Sequence, residues 1–110
     1  MTLPSVRARS DRAATYPDLE TAQWATQQAI TLNEQVIHRW LAQSARRRLV
    51  VEAAWPTRPE PVGSVLTVGM MLAGQQPLPV RAARVVLLRA APGDAAPQGF
   101  TVHTSFPVDL

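Results

Sequence analysis

The chain has 110 residues, a formal charge of +3 and no cysteine; this leaves room for one domain with a modest core and excludes disulfides, thiolate metal sites and a cysteine nucleophile. Apolar residues make up 46% of it, as in an ordinary globular protein, yet no run approaches the ~18 apolar residues of a membrane-crossing helix. All eleven basic residues are arginine; seven fall in residues 1–48 against four acids, whereas residues 49–110 hold four of each, so the first half carries the whole excess of a side chain whose planar fork suits phosphate.

The opening, Met1 to Arg7, lacks the apolar stretch of a secretory signal. Residues 1–12, with Pro4 and spaced arginines, read as a flexible segment, and 13–110 as the folded domain. Asp18 after Pro17 is a good N-cap. Leu19, Ala22, Ala25, Ala29 and Leu32 then recur at three- and four-residue steps and predict a first helix over about Leu19–Thr31. Asn33 marks a break or a new cap. Val36, Ile37, Trp40 and Leu41 form the apolar face of a second helix ending near Ser44. Arg46, Arg47 and Arg48 follow, where positive charge suits a helix C-terminus.

The period then changes. Leu49–Trp55 is a strand pattern, closed by a loop with Pro56, Pro59 and Pro61. Val62–Leu72 reads as a second strand, with Gly63 and Gly69 as points of bulge or close approach. After a turn over Ala73–Pro79, Val80–Ala90 holds the most apolar run and predicts the central strand. Ala91–Gly99 is a loop, and Phe100–Phe106 the last strand. Short connections predict a four-stranded antiparallel meander, with both helices on one face: an α+β fold.

Candidate chemistry is sparse. The sequence has no Gly-rich phosphate loop, no G-x-S-x-G, no H-E-x-x-H and no paired carboxylates at catalytic spacing, and its two histidines lack metal-ligand spacing. His103 is the first side chain to consider, because imidazole changes charge near neutral pH and can act as a general acid or base. Strand alternation puts Val102, Thr104 and Phe106 on one face and His103 on the other, unless a bulge intervenes. His38 is explained by pairing with Glu34 one helical turn earlier. Trp40 fits the core, and Trp24 lies off the apolar face.

Several segments in order resemble one family: Ala14-Thr15-Tyr16-Pro17-Asp18, Thr21-Ala22, Trp24-Ala25, Ile37, Trp40-Leu41, Pro61-Val62-Gly63, Ala83 to Arg89, Gly99-Phe100 and Thr104-Ser105-Phe106-Pro107. The pattern is similar to the ribonuclease A-like toxin domain at the C-terminus of bacterial contact-dependent growth inhibition proteins and other polymorphic toxins. The resemblance implies a ribonuclease A-like α+β fold without disulfides. It also implies a metal- and cofactor-independent endoribonuclease that cleaves RNA by transphosphorylation, is delivered as part of a larger toxin, acts in the target-cell cytoplasm and is blocked by a cognate immunity protein.

Carried over residue by residue, the resemblance assigns the phosphate-binding hydroxyl to Thr104. Phe106 stands where the family usually has Tyr. Arg7 or Arg9 matches the family's phosphate-stabilising Arg, and residues 1–12 become the remnant of a truncated first helix. The family's N-terminal His has no counterpart, which leaves His103 as the titrating group. Arg12, Arg46, Arg47 and Arg48 are the further candidates to contact RNA, tRNA included. The same departures also fit a degenerate module that binds RNA or the immunity protein without cutting.

Overall fold

The structure is a computed structural model that describes residues 12–110, with Arg12 described by its backbone alone. The elements are β1 (Arg12–Thr15), α1 (Leu19–Leu32), α2 (Glu34–Gln43), β2 (Arg48–Ala54), β3 (Gly63–Thr67), α3 (Val68–Leu72), β4 (Leu78–Val80), β5 (Ala82–Arg89) and β6 (Phe100–Val108). The strands form two antiparallel three-stranded sheets, ordered β1-β3-β4 and β2-β5-β6. Arg7 and Arg9 lie outside the described residues.

The α+β class and both long helices match the sequence reading. The single four-stranded meander does not. Its second strand, β3, leaves the sheet of β2 and pairs with β1 and β4 instead. It also stops at Thr67, whose hydroxyl accepts from the Met70 amide and turns the chain into α3. Val68-Gly69-Met70-Met71-Leu72 is apolar enough to read as strand, but this local cap overrides the pattern. Gly69 therefore sits in a short helix and not at a bulge.

Helix α1 starts where the Asp18 carboxylate accepts the Thr21 amide at 2.7 Å. That hydrogen bond holds the Asp18 carboxyl below its usual range. Ala22, Ala25 and Ala29 are its buried residues. They meet Ala83 and Val85 of β5 and Ala53 of β2, small residues that let the helix lie close to the sheet. The ends of the predicted stripe, Leu19 and Leu32, are exposed, and so is Val36, which the sequence assigned to the core face of α2. At the break, the Asn33 side-chain amide donates to Ala29 O and to Glu52 O, which ties the helix junction to β2.

The main core collects Ile37 and Trp40 from α2, Val51 and Ala53 from β2, Val85 and Leu87 from β5 and Phe100 from β6. Tyr16, Ala22, Ala25 and Ala83 extend it under α1, and Trp55 packs against both groups. A separate cluster of Ala14, Val65 and Val80 holds the second sheet, with Phe106 against it. The two sheets meet where Gly63 passes Pro107. A Cβ at residue 63 would lie 2.3 Å from Pro107 Cγ and 2.6 Å from Thr15 O, so only glycine allows this approach.

One arginine joins the sheet to a helix end. Arg89, at the end of β5, donates to the carbonyl oxygens of Trp40, Leu41 and Ser44 at the C-terminus of α2. Its guanidinium also lies over the Trp40 ring, 5.1 Å from the centroid. The orphan carbonyls of the helix and its dipole are thus met by a cation from the sheet. Arg89→Ala is expected to cost about 2 kcal/mol in urea unfolding. Arg89→Lys is expected to recover less than half of it, because an ammonium cannot reproduce the fork.

Candidate active site

Strands β5 and β6 build the site. Paired residues share a sheet face and neighbours alternate. Val85 and Leu87 face the helices, so Arg84 and Val86 face away from them. Val85 pairs with Ser105 and Val86 with Thr104, but Leu87 pairs with Val102. His103 is the extra residue of a β-bulge.

The bulge corrects the expected faces. Val102 shares the helix face with Leu87, whereas Thr104 and Phe106 share the far face with Val86 and Arg84. His103 is exposed and sits at the bend, directly before Thr104. Simple alternation therefore no longer separates His103 from Thr104, and a bulge is a common device for re-aiming a side chain beside a site.

Two cross-strand rows define the far face. Val50, Val86 and Thr104 form one, and Glu52, Arg84 and Phe106 the next. Thr104 is buried, at 8% exposure, and is engaged in the fold. Arg84 places a guanidinium in the row beside Thr104, where it makes an ion pair with Glu52. Both side chains are over a third exposed, so water screens most of the attraction. The sequence reading missed Arg84, although its place in the alternating run Ala83-Arg84-Val85 was a usable signal. Phe106 is half-buried against the second sheet and so packs where a hydroxyl was expected.

The reverse face fixes the strand. Ser105 Oγ lies 2.8 Å from the Tyr16 hydroxyl and 2.7 Å from Thr26 Oγ1, which is also 2.7 Å from Ala22 O. A hydroxyl has one proton and a carbonyl only accepts. The consistent chain is therefore Tyr16 to Ser105 to Thr26 to Ala22 O. It pins the residue between Thr104 and Phe106 to α1.

The remaining candidates separate. Arg12 opens β1, paired with Thr67. Arg46, Arg47 and Arg48 lie where α2 hands over to β2, and Arg48 is on the same face as Val50. The triplet does not serve the α2 C-terminus as expected, because Arg89 takes those carbonyls. His38 is exposed, and its expected pairing with Glu34 is not formed; among the described residues the ion pair present is Arg84 with Glu52. Trp24, partly exposed, packs on Trp55 with ring centroids 5.1 Å apart and the rings tilted by 50°, under the Arg58 guanidinium. No group of three or more His, Asp or Glu side chains converges among the described residues, and none of their helices is long and apolar enough to cross a membrane.

The bacterial CdiA-CT RNAse A domain family matches residues 4–107. The fold is similar to that in a crystal structure of a CdiA-CT/CdiI complex from Y. kristensenii 33638. The TM-score is 0.77 at 23% identity, over 94% of this chain and 82% of that one. No curated protein matches.

Burial pushes the Tyr16 phenol above its ordinary value of 10.0. A raised acid favours its neutral form in the folded state, so its stabilisation is complete below the unfolded value and is lost as pH rises through the folded one. The chain has one tyrosine and no lysine or cysteine. Tyr16 is therefore the side chain that titrates in this range. Urea midpoints are expected to fall above pH 10.0 in the natural chain. The fall is expected to vanish in Tyr16→Phe, which should lose about 1 kcal/mol at neutral pH.

Proposed function

The chain belongs to the bacterial CdiA-CT RNAse A domain family, and from that premise we propose that it is a toxin endoribonuclease that cleaves RNA by metal-independent transphosphorylation at the Thr104 face of β6. What supports this reading is the bulge at His103, the exposed residue directly before Thr104 in β6. In the reaction, the ribose 2′-hydroxyl loses its proton to a base and its oxygen bonds to the adjacent phosphorus. The P–O5′ bond breaks, the 5′-oxygen leaves with a proton, and a 2′,3′-cyclic phosphate remains. His103 is the group proposed to move a proton, and Thr104 the donor to a non-bridging oxygen. Arg7 or Arg9 is proposed to offset the charge that grows on the phosphorane.

The similar structure is a complex with CdiI, which supports a cognate immunity protein as partner here. Delivery within a larger toxin, and action on RNA in the cytoplasm of the target cell, complete the reading.

Labelled RNA incubated in EDTA tests it. Thr104→Ala is expected to slow cleavage about 10²-fold, the usual effect of losing one oxyanion donor. His103→Ala is expected to slow cleavage about 10²-fold or more, the usual effect of losing a group that moves a proton. Salt-sensitive binding without any cleavage would instead identify a non-catalytic RNA-binding module, which the missing hydroxyl at Phe106 favours. Phe106→Tyr probes that point separately. It is expected to raise the rate several-fold if the natural chain cuts, read as initial rates at saturating RNA.

A further inference from the structure

The described arginines divide sharply by use. Arg58 donates to the carbonyls of Glu60 and Pro61, and Arg81 to those of Arg58 and Pro59. Arg84 pairs with Glu52, and Arg89 caps α2. Arg39, Arg46, Arg47 and Arg48 make no side-chain hydrogen bond or ion pair among the described residues. Arg46, Arg47 and Arg48 lie at the junction of α2 and β2, and Arg39 lies in the second half of α2.

Three of them, Arg39, Arg46 and Arg48, line one concavity of about 540 Å³, and no carboxylate lines it among the described residues. Trp40 and Ser44 help to wall it. The backbone there is held in place: Trp40 Nε1 donates to Arg46 O at 2.8 Å, and the Arg46 amide donates to Ser44 Oγ at 3.1 Å. Arg89 adds a fourth cation behind Trp40. Unpaired like charges held together repel, and a bound anion relieves that repulsion.

The concavity adjoins the Thr104 face. Val50 lines it and shares a cross-strand row with Val86 and Thr104. Two strand spacings and one same-face step separate Arg48 from Thr104, ~12 Å or about two nucleotides of extended RNA.

We propose that this groove is a phosphate subsite of Arg39, Arg46 and Arg48 that holds the RNA backbone about two nucleotides from the reacting bond. The proposal rests on the ribonuclease reading for its ligand. Arg47, outside the groove lining, takes no part.

The test is binding of a 2′-O-methyl octanucleotide, whose blocked oxygen cannot attack phosphorus, by fluorescence anisotropy over a salt series. Relative to the natural chain, Arg39→Gln/Arg46→Gln/Arg48→Gln is expected to lower the log–log salt slope by about 2, at ~0.7 per phosphate contact on a single strand. Arg47→Gln is expected to leave the slope unchanged, and a dinucleotide to bind all variants equally. Arg46→Gln alone, expected to lower the slope by ~0.7, gives the same reading if the triple variant melts early. An unchanged slope in the groove variants overturns the proposal. So does an equal loss in Arg47→Gln, which marks diffuse charge, or an equal loss with the dinucleotide. Cleavage is not part of the readout, so an inactive chain leaves the subsite standing, and an active chain with an unchanged slope removes the subsite alone.

Discussion

One extra residue in the longest strand pair governs the molecule. His103 breaks the β5–β6 register, so the segment before it and the segment after it present opposite parities to the helices. Before the bulge, Phe100 and Val102 face α1 and α2. After it, Ser105 does, and Thr104 and Phe106 are turned to the far side. Without the insertion, either Phe100 would leave the core or Ser105 would leave the hydroxyl chain that joins it to Tyr16 and Thr26. The packing of both ends of β6 on the helices therefore requires the irregularity at its centre, and the candidate site lies at that irregularity.

The electrostatics follow from the same economy of charge. The structure spends four arginines on carbonyls and one carboxylate, and these hold the helix end, the proline loop and the sheet. Among the described side chains, the arginines without such a partner gather at one corner, beside the face that carries Thr104. Net charge alone says little about this, since residues 49–110 balance formally while their arginines do structural work.

Much of the helical half was legible in the sequence. Asp18, the Ala22-Ala25-Ala29 stripe and the Ile37–Trp40 pair act locally, and their spacing translates directly into a face. The sheet was less legible because strand partnership is non-local: nothing in Val62–Thr67 states that it joins β1 in place of β2. Leu78–Val80 is too short to read as a strand, and Arg12–Thr15, at the edge of the segment read as flexible, carries no strand pattern of its own. At the candidate site, the assignment of Thr104 rests on resemblance, and simple alternation groups it with Val102 because a bulge has no side-chain signature. Arg84 and Arg39 escaped notice for a related reason. Each is an ordinary surface arginine until the register or the neighbouring strand shows what it stands beside.

The connection between the sheets has a consequence for how a long ligand is accommodated. The carbonyls of residues 58–61 are taken by Arg58 and Arg81, three prolines stiffen the same loop, and Gly63 is wedged against Pro107. A hinge needs backbone torsions that are free to rotate, and this crossing has few. This crossing thus resists bending, so adaptation to a long ligand there falls to side-chain rotamers and to the outer loops.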